Sequence, residues 1–282
     1  MSKFNFTTVA LKNLKRKPFR TGVLVFSIAL LVSLLIFALS FIVSVSSSIK
    51  KASDRLGADL IVVPIGARGY AEAFLLESKK AQFYMSKSLI DRVKKIEGIE
   101  SLTYQTYLST IGGVCCDVEA TRIIAFDQDS DFIVKPWLKK AIGRGLNKGE
   151  AIAGYETNFN LGVELLDLEA TIFNNKFKVV GVLEKTGTAL DNALIMTEEN
   201  IKDIIGSGKS PLSEGQISLI FTKVKKGFDP YEVGRTVEGN IVEVDVVARS
   251  DMEKEILGTL KDINKIFLIT IVMSSILAIF LV

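Results

Sequence analysis

Residues 21–45 read TGVLVFSIALLVSLLIFALSFIVSV, and this stretch decides where everything else in the chain must lie. From Val23 to Val45 there is no charged residue and no proline. As a helix rising ~1.5 Å per residue, that run is ~34 Å long, enough to cross a hydrocarbon core of ~30 Å. Small residues cluster at its end, at Ser44, Ser46, Ser47 and Ser48, as they would before a signal-peptide cleavage site. The apolar core of a signal peptide is only ~7–15 residues, so the stretch reads as a retained membrane span.

Working outward, residues 1–20 carry Lys3, Lys12, Lys15, Arg16, Lys17 and Arg20 and no acidic residue. Lys50, Lys51 and Arg55 on the far side are accompanied by Asp54. The excess of cations before the span places the N-terminus in the cytoplasm and residues after ~46 outside. Phe4, Phe6, Val9, Leu11 and Leu14 interleave with Lys and Asn, a pattern that fits a short amphipathic helix on the inner face or a solvated basic arm. At the other end, Ile266–Val282 reads IFLITIVMSSILAIFLV, at the lower edge of spanning length. It is expected to be a second membrane helix cut short within a longer protein, a tail anchor being the alternative. Thr21, Gly22, Ser27, Ala29, Ser33, Ala38 and Ser40 give the first span small positions for helix contact, and no charge within it marks an ion path.

Between the spans lie ~215 residues of soluble character, enough to bury a substantial core. The net charge of +3, with cations and acids interspersed after residue 50, gives no basic face for nucleic acid. Histidine is absent, which removes the commonest general base and excludes a Ser-His-Asp triad or a His-rich zinc site. The two cysteines are adjacent, so there is no disulfide framework.

The middle of the chain mixes strands and helices without regular alternation. The first helix is expected to continue from Ser46 to Leu56 and to end at Gly57, followed by a strand over Asp59–Val63 closed by Pro64. Gly66 and Gly69 suggest a loop. Leu89, Ile90, Val93 and Ile96 have helical spacing behind Ser86 or Ser88 as cap, and Gly98 ends that helix. Strands are expected over Leu102–Thr110, Thr121–Phe126, Gly149–Tyr155 and Ala193–Met196, with a short helix over Trp137–Ile142. A hairpin joins Ala170–Phe173 to Phe177–Leu183 through Asn174-Asn175. A helix follows Thr197, and the last unit is strand Gln216–Val224, helix Pro230–Glu238, strand Ile241–Ala248. Ser250 would then cap a helix running into the second span. The fold class is α+β with a mostly antiparallel sheet.

Four motifs bear on chemistry. Gly206-Ser-Gly-Lys-Ser210 resembles the end of a P-loop, but Asp203 stands where the first glycine is needed, and a helix precedes it instead of a strand. It reads as a surface turn. Cys115-Cys116-Asp117 could hold a soft metal or exchange thiols, with Asp117 or Glu119 adding oxygen ligands; two half-buried strand residues are the other reading. Asp127, Asp129 and Asp131 alternate as in a calcium loop, yet Phe132 stands where its glycine should be, so a turn with solvated carboxylates is expected, Asp131-Phe132 and Pro136-Trp137 being the alternative, anchors of a surface loop to the core. No nucleophile stands beside a base, so no catalytic residue is assigned.

Three phrases in order carry a resemblance. Leu11-Lys-Asn-Leu14 with Lys15-Arg-Lys17 and Arg20-Thr21, then Leu56-Gly-Ala-Asp-Leu-Ile-Val-Val-Pro64, then Val180-Gly-Val-Leu183 with Thr186-Gly-Thr188 and Asp191-Asn192, together resemble FtsX/MacB-like ABC-transporter permeases over the whole chain. The resemblance implies a multi-pass permease of the cell (inner) membrane: residues 1–20 cytoplasmic, 21–46 the first span, 47–262 a MacB-like extracytoplasmic α+β domain, and 263–282 a truncated second span. It implies a homodimer of permeases in membrane lipid, no enzyme activity on this chain, and a separate cytoplasmic ABC ATPase that carries ATP and Mg. Such permeases convert dimer closure of the ATPase into motion of the outer domain, for efflux or for handling lipid, lipoprotein or peptide. A two-span sensor or adhesion protein with an external ligand-binding domain is the alternative. Cys115 and Cys116 resemble a feature of only some members and remain the candidate metal or redox pair.

Overall fold

In the computed structural model, the structure describes residues 16, 18–55, 57–77, 82–109, 122–160, 169–172, 175–206, 210–249, 262 and 265–273. Two compact units separate: Lys50–Glu253, and the two ends Met1–Ile49 with Lys254–Val282. Each is taken by itself.

In the unit of the ends, one helix dominates. Helix α1, Pro18–Arg55, is continuous through the apolar run and on past it. Within it Thr21–Ser47 has a mean hydropathy of 2.9, long and apolar enough to cross a membrane. Most of its large apolar side chains are exposed, Phe26, Ile36 and Val43 among them, and Ala38 is buried. An apolar surface of that kind on a long helix suits lipid rather than water. The described part of the second run, residues 265–273, is also helical, with Ile266, Leu268, Ile269, Val272 and Met273 exposed. Ser250, expected as a cap, and the rest of that run lie outside the described residues.

The unit Lys50–Glu253 is built on one sheet. In chain order its elements are strand β1 (Leu60–Pro64), helix α2 (Arg68–Glu77), β2 (Met85–Ser86), α3 (Leu89–Lys94), β3 (Ile99–Ser109) and β4 (Arg122–Phe126). Then come α4 (Lys135–Ala141), β5 (Glu150–Ala153), α5 (Tyr155–Asn160), β6 (Glu169–Ile172), β7 (Asn175–Val182) and a 3-10 turn (Ala189–Asn192). The last are β8 (Ala193–Thr197), α6 (Glu198–Gly206), β9 (Gln216–Ile217), β10 (Leu219–Val224), α7 (Pro230–Asn240) and β11 (Val244–Ala248). Nine strands pair in the order β11-β1-β10-β3-β4-β8-β5-β7-β6, and β2 pairs β9 separately. The sheet is mixed but mostly antiparallel: among the described residues, only β4 with β8 and β5 with β7 run parallel.

Its central strands are covered on both faces, which is why they read as nearly unbroken apolar runs. On one face Ile61, Val63, Tyr107, Ile124, Ile195 and Phe221 pack with Ala71, Phe74 and Leu75 of α2 and Leu138 of α4. On the other, Leu60, Val62, Ile220 and Val246 meet Val233 and Val237 of α7 and Leu89 and Val93 of α3. Farther along that face, Ile123, Ala125, Leu194 and Met196 meet Ile201 and Ile204 of α6. Period-two alternation along each strand sorts its side chains between these layers.

Local expectations hold with shifts at their edges. Gly57, at φ +67°, follows α1 as expected. Asp229 caps α7 by accepting from Tyr231 N, with Pro230 in the first turn. Ser88 precedes α3 but makes no side-chain cap bond. Ile172 pairs with Asn175, so the residues between the hairpin strands are 173 and 174, one position earlier than expected and outside the described residues. The segment expected as a loop around Gly66 and Gly69 is in large part helix α2.

The order of strands has one consequence for position. The strand–helix–strand unit β10–α7–β11 does not place its two strands side by side. Strand β1, directly after α1, is slotted between them, with Leu60 opposite both Thr222 and Ala248. The strand that follows one apolar helix and the strand that leads towards the other apolar run are therefore hydrogen-bonded neighbours.

Candidate functional site

Chemistry-bearing motifs come first, because the structure disperses them. Cys115 and Cys116 lie outside the described residues. Among the described residues no group of three or more His, Cys, Asp or Glu could hold a metal ion. Gly206 ends α6, residues 207–209 lie outside the described residues, and Ser210 Oγ accepts from Leu212 N at 3.1 Å.

The three alternating aspartates do not converge. Asp127 Oδ2 accepts from Ser130 N at 3.3 Å, and Asp129 offers its main-chain carbonyl to Lys135 Nζ at 3.0 Å. Asp131 departs from the expected solvated carboxylate. It is buried, and its Oδ2 accepts from Val134 N and Lys135 N, both at 2.7 Å, at the start of α4. Burial raises its pKa despite those two bonds.

A second polar group, equally unheralded, joins Tyr104 of β3, Lys87 and Glu198 at the start of α6. The Tyr104 hydroxyl and the Lys87 ammonium both donate to the Glu198 carboxylate, and the ammonium lies 4.7 Å from the Tyr104 ring centroid. Burial and then the bond to Glu198 push the Tyr104 phenol well above its ordinary value. Both donors meet one carboxylate, so this group ties β3 and the Lys87 segment to the start of α6.

The phrase Thr186-Gly-Thr188…Asp191-Asn192 turns out to be the best-built polar feature. Asp191 is buried, and its carboxylate gathers three donors from the turn before it. Thr186 N and Thr186 Oγ1 reach Oδ1 at 2.7 and 2.8 Å, and Gly187 N reaches Oδ2 at 2.7 Å. The Thr186 and Thr188 hydroxyls bond each other at 2.8 Å. Below the turn, a Cβ on Gly154 would fall 2.0 Å from Leu190 O and 2.5 Å from Asp191 O, so only glycine lets β5 end this close. The turn is thus rigid, held from within by a carboxylate and from below by backbone contact.

Onto this turn comes the end of α1. Arg55, the last residue of the helix, donates from Nη1 to Thr186 O at 2.8 Å. Gly187 has φ +72°, and a Cβ there would lie 3.3 Å from that same Nη1. The positive φ and the arginine both favour a residue without a side chain. Arg55 and Thr188 also line a cavity of about 10 Å³, the room of one water, together with Gln105 and Tyr107 of β3. The Tyr107 hydroxyl donates to Gln105 Oε1 at 2.9 Å, while Gln105 Nε2 has no partner among the described residues.

The other boundary of the unit is tied just as directly. Arg249 N donates to Asp59 O at 3.0 Å, Asp59 N donates to Thr222 O at 2.9 Å, and Val224 N donates to Asp59 Oδ2 at 2.9 Å. A single residue, Asp59, thereby joins the entry into β1, the end of β10 and the exit from β11. Sequence reasoning found the phrases at 56–64 and 186–192 but not these roles. Arg55 and Thr186 lie 131 residues apart and Asp59 and Val224 165, so no local spacing announces these attachments.

The arrangement offers no nucleophile, acid–base pair or ligand cage among the described residues. It offers two fastened points within the unit Lys50–Glu253, Arg55 on the Thr186 turn and Asp59 among β1, β10 and β11. Residues 21–240 match the model of the MacB-like periplasmic core domain. No curated sequence matches the chain. Among solved structures, it is similar to the periplasmic region of MacB from Actinobacillus actinomycetemcomitans at 12% identity and a TM-score of 0.45, over 72% of this chain and 94% of that one. It is also similar to the extracellular domain of the noncanonic ABC-type transporter YknZ from Gram-positive bacteria, at 12% identity and a TM-score of 0.42, over 67% of this chain and 98% of that one. By the match that runs from the apolar helix through α7, this chain belongs to the MacB/FtsX-like family of ABC-transporter permeases and carries their MacB-like periplasmic core domain.

Proposed function

We propose that the chain is the membrane-spanning permease subunit of an ABC transporter and that its extracytoplasmic domain is moved by a partner ATPase rather than performing chemistry itself. In this reading residues 1–20 lie in the cytoplasm, 21–46 and 263–282 cross the membrane, and 47–262 stand outside. ATP and Mg belong to the cytoplasmic partner, and a second permease copy completes the assembly in membrane lipid. The work done is efflux or the handling of lipid, lipoprotein or peptide at the outer face. The Cys115-Cys116 pair stays a candidate soft-metal or redox site within that domain.

The observation that carries this reading is the adjacency of β1 and β11, bonded at Asp59 and Arg249. A displacement arriving through either apolar segment enters the same pair of strands. It meets a sheet packed on both faces, which transmits strain instead of absorbing it. Arg55 on the Thr186 carbonyl adds a second point of attachment for the first helix.

The test is biochemical. The complete reading frame, expressed with its genomic neighbours, is expected to co-purify with an ABC ATPase whose turnover changes when the permease is present. Arg55→Ala is expected to keep the ATPase bound while weakening transport. Recovery of no ATPase, together with ligand binding by the outer domain alone, would overturn the proposal in favour of a membrane sensor.

A further inference from the structure

Strand β11 is the outer strand on its side of the sheet. An outer strand presents unpaired N–H and C=O groups to any extended chain that passes. The bonds Arg249 N to Asp59 O and Ile65 N to Glu243 O fix the alternation along the β1–β11 pair. Val246, opposite Val62, therefore turns its own N–H and C=O away from β1.

Both groups are already taken, and by side chains. Val246 N donates to Glu238 Oε1 at 2.8 Å, and Arg68 Nη2 donates to Val246 O at 2.8 Å. The same Nη2 donates to Glu238 Oε1 at 2.7 Å. A carboxylate occupies the place of a neighbouring strand's carbonyl, and a guanidinium that of its N–H. Together they imitate one peptide group of an additional strand. Each sits at the wrong end of its helix for the dipole: Arg68 opens α2, and Glu238 lies in the last turn of α7. Neither placement favours its helix; Val246 accounts for both.

We propose that the outer edge of β11 is a latent strand-addition site, closed by the Arg68–Glu238 pair, and that its occupant when open is β11 of a second copy, antiparallel about Val246. A two-fold axis at Val246 makes the edge complementary to itself, since the same residue supplies a donor and an acceptor. The strand VDVVA has a single charge, Asp245, and Gly66 N already binds its Oδ2 at 2.7 Å, so no bare like charges meet across the axis. The closing pair is itself accessible: the Arg68 and Glu238 side chains keep 48% and 34% of their surface, so salt weakens it. The inference is independent of any ATPase.

The experiment compares the full chain in detergent as wild type and as Arg68→Ala/Glu238→Ala, by light scattering during gel filtration and by hydrogen exchange at the Val246 amide. The double variant is expected to gain one step of association with rising protein concentration, with the Val246 amide becoming protected in parallel. A folded double variant of wild-type order, whose Val246 amide exchanges freely at every concentration, would overturn the proposal. Should the double variant not fold, Arg68→Met/Glu238→Leu, which keeps the apolar stems and frees both the N–H and the C=O of Val246, is read in the same way: concentration-dependent association supports a self-pairing edge, and its absence refutes it.

Discussion

Arg55 and Thr186 stand 131 residues apart in the sequence and 2.8 Å apart in space, guanidinium Nη1 to carbonyl oxygen. The last residue of an apolar helix is thereby bonded to a turn whose own geometry is fixed by Asp191. Gly187→Ala tests that contact. Its φ of +72° costs a side chain about 1–2 kcal/mol, and the new methyl would crowd Nη1 at 3.3 Å. Thermal unfolding should show the loss. In an Arg55→Ala background the crowding part should disappear, so the two substitutions are expected to be non-additive.

Asp191 should matter more than either. Asp191→Ala leaves the buried Thr186 N without its acceptor and takes the carboxylate away from Thr186 Oγ1 and from the more exposed Gly187 N. Charge-assisted bonds of this kind are worth about 1.5–3 kcal/mol each, though not additively. A denaturant titration should place Asp191→Ala well below wild type, and Asp191→Asn, which keeps one carbonyl acceptor, between the two.

Just before α4, Asp131→Ala removes the acceptor for the buried Val134 N and for Lys135 N, and a buried donor left without an acceptor costs about 1–3 kcal/mol. The pH dependence runs the opposite way from a paired surface carboxylate. Burial raises the folded pKa of Asp131, so the folded state holds that proton more tightly than the unfolded chain. Its contribution is greatest below the unfolded pKa and declines as pH rises through the folded one. Asp131→Asn should abolish that decline, as followed by stability measured across the acidic range.

Glu150 shows the reverse. The bidentate Arg144 guanidinium, at 2.7 and 2.9 Å, is the main cause that pulls its pKa from 4.5 down to about 2. Stability from this pair is present above the unfolded pKa and is lost as pH falls through the folded value. Arg144→Ala is expected to return the Glu150 titration, read by carboxyl NMR shifts, towards the ordinary glutamate range. The pair is solvent-accessible, so the effect on the unfolding midpoint at neutral pH should be small.

What was legible in the sequence was whatever is local. The run at Val23–Val45, the strand before Pro64 and the β10–α7–β11 unit each announce themselves by period, cap or turn residue. Helix α2 was missed although Ala71, Phe74 and Leu75 have helical spacing, because Gly66 and Gly69 before them read as a loop. Helix α5 was hidden for a like reason: Tyr155 looked like the end of strand β5. The slotting of β1 between β10 and β11 left no trace, since strand order depends on pairings across the whole chain. For the candidate site, the phrase around Thr186 and Asp191 was visible as a resemblance, but its physics required Arg55 and Gly154 to be brought to it. Arg68 and Glu238 carried no signal at all, being two ordinary surface charges until Val246 lies between them.

The position of β1 also sets an order of events during synthesis. Its partners are late: Thr222 Oγ1, which donates to Leu60 O, lies 162 residues downstream, and β11 follows later still. A ribosome that has delivered the first apolar helix and β1 has not yet made either strand that will cover its edges. For most of translation LIVVP is an apolar segment with two open sides. Protease challenge of arrested chains should find it exposed until residues of β10 and β11 have emerged. The fold therefore closes from its last strands onto its first, and the sheet is completed only as the second apolar run is being made.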